Sequence, residues 1–170
     1  MRKEKLEELN ELINECKTVK KELLDEKAKF LKFQVYNCTL SNGKTMRREQ
    51  LIKGSNSNAA IIMPVTNDGN VLLTVEARPM INETVAIGFP AGYVEENEDP
   101  IYAASRELLE ETGYATNRLI YLTEGHQDNG VGPGLNYLYL AKDIHKVSEP
   151  ALDGSEYLTF SGMSFGTPSL

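Results

Sequence analysis

The sequence predicts an α+β fold, a mixed sheet with helices packed on it, and three observations carry that expectation. Short alternating or continuous apolar runs follow one another from Phe30 to Phe89, a sharply delimited helical stretch occupies Pro100 to Thr112, and strand-like runs return at Leu119–Leu122 and Leu135–Ala141. Strands, then a helix, then strands again is the order of a mixed sheet covered by helices. With 170 residues, 41% of them hydrophobic and 25% charged, the chain can bury one substantial core and still carry an appendage.

The elements follow in order. Residues 2–28 are rich in Glu, Lys and Leu, and Leu9, Leu12, Cys16, Val19 and Leu23 recur at intervals of 3, 4, 3 and 4, which predicts a helix with a narrow apolar seam. Such a seam, under three heptads long, suits either the same helix of a second subunit or the face of its own domain. From Phe30 the period changes to two. Leu31, Phe33 and Val35 alternate, Ser41-Asn42-Gly43-Lys44 makes a turn, and Thr45 to Lys53 returns as the second arm of a hairpin. After the loop Gly54 to Asn58, the continuous apolar run Ala59 to Val65 suits a buried strand. Asn67-Asp68-Gly69-Asn70 turns it into Val71 to Val75, and Thr84 to Phe89 is a further short strand. The expected organisation is therefore residues 1–53 as a helix and hairpin appendage and residues 54–170 as the main domain.

The helix that follows is specified at both ends. Asp99 can cap it, Pro100 suits its first position, and Gly113 supplies a left-handed stop. Ile101, Ala104 and Leu108 form an apolar stripe roughly a quarter turn from three carboxylates, Glu107, Glu110 and Glu111, which project from one face because they sit at i, i+3 and i+4. Anions held that close repel one another unless a cation sits among them, and a hard divalent ion such as Mg²⁺ prefers carboxylate and carbonyl oxygens and bridges them to phosphates. Between the last two strand runs lies the Gly-rich stretch Glu124 to Gly134, too long for a tight hairpin and a natural place for substrate contacts. Ser161 to Leu170 has no helical period.

Charge is distributed unevenly. Residues 1–53 hold 13 of the 18 Lys and Arg and 9 of the 25 acids, a balance of +4, and the remaining 117 residues balance to −11. So acidic a domain repels phosphates unless cations reverse the local field, which fits a metal-dependent phosphate site and argues against nucleic-acid binding. The basic N-terminal charges alternate with acids and read as a solvated helix face. No apolar run is long enough to span a membrane and no signal-peptide core is present, so the expected location is cytoplasmic, with no membrane partner. Cys16 and Cys38 share no metal or redox spacing and read as reduced packing residues, and His126 and His145 lack partners at ligand spacing.

Gly92, then five residues, Glu98, then seven residues, then Arg106, Glu107, Leu108, Glu110, Glu111, Gly113 and Tyr114 resemble the Nudix box of the Nudix hydrolases. The resemblance extends over roughly residues 30–160 and implies a Nudix-type α/β/α sandwich with a mixed sheet, here preceded by an N-terminal helix and β-hairpin. It further implies hydrolysis of a nucleoside diphosphate linked to another group, with water attacking a phosphorus of the pyrophosphate. By position, Glu107, Glu110 and Glu111 would bind Mg²⁺, with Mn²⁺ as a second candidate, and the Ala91 or Gly92 carbonyl would complete the shell. Arg106 would orient the glutamates and Glu98 would brace the loop. Asp128 is a candidate general base, set against an Asx-turn role.

Thr74 to Pro79, Phe89-Pro90-Ala91-Gly92 and the downstream Gly-Pro-Gly are similar to the ADP-ribose pyrophosphatase branch, which implies ADP-ribose or a related nucleotide sugar as substrate and a phosphate or ribose contact for Arg78. Gly88 departs from that branch, which commonly carries Glu there, and Pro133 lies later than its usual proline. The branch also exchanges N-terminal strands between subunits, so a homodimer joined through residues 1–53 is expected. Members usually close the sandwich with another helix, which the C-terminal stretch here does not spell. Two other readings stand beside this one: a triphosphate or dinucleoside polyphosphate hydrolase, and a non-catalytic nucleotide sensor. The intact glutamate set argues against the sensor.

Overall fold

The computed structural model describes residues 3–152 and 157–163. Helix α1 (Lys3–Cys16) is followed by a hairpin of β1 (Leu31–Thr39) and β2 (Thr45–Lys53), then β3 (Ala59–Pro64), β4 (Val71–Ala77), β5 (Val85–Gly88) and β6 (Ala91–Tyr93). Helix α2 (Pro100–Thr112) leads to β7 (Tyr114–Ala115), β8 (Arg118–His126), β9 (Leu135–Lys142), β10 (His145–Lys146) and β11 (Leu158–Met163). The α+β expectation holds. One sheet has the order β6-β3-β9-β8 and is mixed, because β3 runs parallel to β9 and antiparallel to β6; a second has the order β11-β4-β5 and is antiparallel. The hairpin β1-β2 and a ribbon of β7 and β10 stand apart from both.

The two faces of β4 explain the layering. Leu72 points into a core with Ala60 and Ile62 of β3, Ala103, Ala104 and Leu108 of α2, and Tyr139 and Ala141 of β9. Val75, on the alternate face, is buried with Leu9 and Cys16 of α1. The three-stranded sheet thus lies between the two helices, as an α/β/α sandwich requires. The apolar stripe of α2 is displaced by one position from expectation: Ala103 is fully buried beside Ala104 and Leu108, and Ile101 is exposed.

The first helix ends earlier than its pattern. Residues 17–30 are not helical, and Val19 and Leu23 of the seam are 98% and 102% exposed. Short helices gain most of their stability from packing, and α1 has a surface to cover only as far as Cys16, whose thiol donates to the Val75 carbonyl. The seam lies across its own domain here. Cys16 and Cys38 are both free thiols.

The hairpin is held at its base. The Leu51 N–H donates to the Val131 carbonyl at 2.8 Å, Lys53 Nζ donates to Gln127 Oε1 at 2.8 Å, and the Gly54 N–H donates to the Phe30 carbonyl at 3.1 Å. Strand β8 extends to His126, four residues past the expected Leu122, which shortens the Gly-rich connection to residues 127–134. Leu158 to Met163 pairs with β4 as a third strand, and residues 164–170 lie outside the described residues. Among the described residues no helix is long and apolar enough to cross a membrane.

Candidate active site

The site is built where β6 meets α2. The Asp99 carboxylate accepts from the Ile101 N–H at 3.1 Å, a cap that contributes about 1 kcal/mol. Gly113 closes the helix at φ 72, its N–H reaching the Leu109 carbonyl at 2.8 Å. This conformation is inexpensive for glycine alone. The helix therefore begins and ends at fixed points, and its phase aims Glu107 and Glu111 inward.

Both of those glutamates are buried, at 7% and 6% exposure. A buried carboxylate needs compensating polar contacts. Glu111 Oε2 accepts from the Ala91 N–H at 3.2 Å, and Glu107 Oε1 accepts from Arg106 Nη1 at 2.6 Å. Gly92 makes this approach possible, since an added Cβ would overlap the Glu107 carboxylate. Glu110 is the outward member, its side chain 45% exposed and joined to Arg106 Nη1 at 3.1 Å.

Arg106 is the hub. Its Nε and Nη2 each donate to one oxygen of Glu98 at 3.1 Å, and Nη2 also donates to the Tyr93 carbonyl at 3.0 Å. The bidentate pair with Glu98, the largest cause, together with Glu107 and Glu110, holds the guanidinium more firmly protonated than usual. Reciprocally, Arg106 keeps the Glu98 carboxyl below the ordinary glutamate range, against burial, which pushes it up. Glu98 also accepts from the Glu95 N–H at 2.9 Å. One arginine thus ties the loop before α2 to two of the three glutamates on it.

A cleft of about 680 Å³ opens in front of this cluster. It is lined by Ala91, Gly92, Arg106 and Glu107, by Glu76 to Ile81, and by Phe30, Tyr93, Glu95 and Tyr157. Phe30 meets Tyr93 edge to face at 5.4 Å between centroids. Arg78 lines the cleft and pairs with Glu76 at 2.6 Å. Asp128 is placed elsewhere. Its Oδ1 accepts from the Gly130 N–H at 3.2 Å, as in an Asx turn, and it lines a separate small pocket with Leu51, Lys53 and Ser57. His126 and His145 are exposed strand residues.

The donor set suits a hard cation: three carboxylates on one helical face beside the Ala91–Gly92 backbone. As the side chains stand, among the described residues no three acidic, imidazole or thiol groups converge on one point, because Arg106 draws Glu107 and Glu110 toward itself and Glu111 turns to Ala91. Phe30, Glu76, Tyr93 and Tyr157 were not among the expected site residues. A signal existed for Glu76, which falls on the inward register of β4 after Leu72 and Thr74; none of comparable clarity exists for Phe30 or Tyr157.

Comparison with known proteins bears on the same elements. Residues 56–159 match the family model for the NUDIX domain. An ADP-ribose pyrophosphatase of Bacillus subtilis (strain 168) is 31% identical over 145 residues, which cover 85% of this chain and 76% of that protein. A methanol dehydrogenase activator of Bacillus methanolicus is equally similar, at 31% identity over 145 residues and the same coverage. A crystal structure of an ADP compounds hydrolase shares the fold with a TM-score of 0.62 at 21% identity, over 81% of this chain and 73% of that one.

Proposed function

The chain belongs to the Nudix hydrolases, and from that premise we propose that it cleaves the pyrophosphate of ADP-ribose, or of a close nucleotide sugar, with the help of a divalent cation. The observation that carries the reading is the cleft itself, which gathers Glu107 and Arg106 with a second arginine, Arg78, and with apolar side chains such as Phe30, Met80 and Ile81. A pyrophosphate carrying a group on both sides fits that arrangement better than a terminal triphosphate. The similarity to an ADP-ribose pyrophosphatase supports the same substrate class.

Glu107, Glu110 and Glu111, with the Ala91 carbonyl, would hold Mg²⁺ or Mn²⁺. When bound, the cation neutralises phosphate charge and acidifies the attacking water. The residues of the chain do the rest. Arg106 sets the rotamers of Glu107 and Glu110 while Glu98 holds Arg106 in turn. Arg78 meets a phosphate oxygen as the substrate enters. A glutamate of α2 takes the proton of the attacking water, since Asp128 is engaged in its own turn. Water adds to phosphorus, the bond from phosphorus to the bridging oxygen breaks, and ADP-ribose yields AMP and ribose 5-phosphate. Incubation with ADP-ribose and Mg²⁺ and identification of both products tests this. Release of ADP and ribose, with the pyrophosphate intact, or no product at all, contradicts it.

A further inference from the structure

Glu76 has no place in the chemistry above, and its position is unusual for a carboxylate. Leu72 and Thr74, which precede it on the same face of β4, are buried, so Glu76 occupies an inward position at the end of a central strand. A polar residue there lacks a packing rationale. It also lines a cleft that already holds Glu95 and Glu107, where a further anion would repel an incoming phosphate.

Arg78 resolves the conflict. Glu76 Oε2 lies 2.6 Å from Arg78 Nη2, and the backbone of Arg78 is fixed as well, its N–H donating to the Thr84 carbonyl at 2.7 Å and its carbonyl accepting from the Ile81 N–H at 3.1 Å. Of the two arginines lining the cleft, Arg106 is engaged by three glutamates, and Arg78 is the more exposed, 54% against 28%. A long side chain that exposed would sample many rotamers if nothing anchored it.

We propose that Glu76 is a positioning residue that holds the Arg78 guanidinium in the cleft, ready to meet a phosphate of the substrate. The proposal rests on the reading of Arg78 as a substrate contact. Ordering the guanidinium beforehand removes a cost of binding, so the effect belongs to affinity. It belongs less to fold stability, because the Arg78 end of the ion pair is half-exposed to solvent.

The test is calorimetric titration of ADP-ribose into metal-free protein, beside thermal melting, for the parent, Glu76→Gln, Glu76→Asp, Arg78→Ala and the Glu76→Gln/Arg78→Ala double variant. Glu76→Gln is expected to weaken binding about tenfold with the melting temperature within about 2 °C of the parent, and Arg78→Ala to weaken it at least as much. Glu76→Asp, which keeps the charge on a shorter arm, recovers part of the loss. The double variant binds no worse than Arg78→Ala, because two residues acting through one contact are not additive. Parental affinity in Glu76→Gln with weakened Arg78→Ala overturns the proposal and leaves Arg78 a substrate contact. An undiminished Glu76→Gln effect in the Arg78→Ala background overturns it by showing independent action. Parental affinity in Arg78→Ala removes the reading of Arg78 and the proposal with it, and failure of the parent to bind ADP-ribose both without metal and with Ca²⁺ present removes the substrate assignment as well.

Discussion

The three glutamates of α2 share a face but not an environment. Glu110 is half-exposed, so Glu110→Gln is expected to leave the melting temperature near its parental value while kcat for Mg²⁺-dependent hydrolysis falls by about 100-fold or more. Glu111→Gln should lose similar activity and some stability, because Glu111 is buried and its carboxylate accepts the Ala91 N–H. Near-parental turnover by both variants in steady-state assays rejects a metal-binding role. Gly92→Ala probes the same corner by shape. Its methyl group must displace the Glu107 carboxylate or shift β6, at a cost of about 1–3 kcal/mol, measurable by chemical denaturation. The spacing of the glutamates was readable because i, i+3 and i+4 is a local rule. The division into two buried members and one exposed member was not, since it depends on where β6 crosses the helix.

At the scale of elements, α2 and α1 show what makes a sequence readable. Helix α2 matches its expected limits because Asp99, Pro100 and Gly113 act through neighbouring backbone groups. Helix α1 does not, because its seam continues to Leu23 while the surface of β4 that it covers runs out at Cys16. Part of the cleft lining was hidden for a related reason: Phe30 and Tyr157 join Arg78 there by topology and by no local pattern. The loop before α2 gives a pH-dependent prediction. Glu98 titrates below its ordinary value because Arg106 pairs with it, so the pair stabilises the fold above the unfolded glutamate pKa of about 4.3 and that contribution disappears as pH falls through the lower folded value. Melting curves of Arg106→Ala should therefore differ most from the parent at neutral pH and begin to converge with it only once pH falls below the unfolded glutamate value of about 4.3. A constant difference across that range would separate Glu98 from Arg106.

For the whole molecule, the hairpin raises the question of a second copy. Phe33 is 73% exposed on the same face as Leu31 and Val35, a large apolar surface for a strand that, among the described residues, pairs with β2 alone. We expect a homodimer joined through residues 1–53, and light scattering should give twice the chain mass for the parent and the single mass for Phe33→Asp/Val35→Asp. A monomer across micromolar parental concentrations counts against it. What the cleft accepts can be read from kcat/KM with Mg²⁺ for ADP-ribose, other nucleotide sugars, dinucleoside polyphosphates and nucleoside triphosphates. ADP-ribose or another nucleotide sugar should lead the series. A triphosphate leading by tenfold, about 1.4 kcal/mol in transition-state binding, would contradict it.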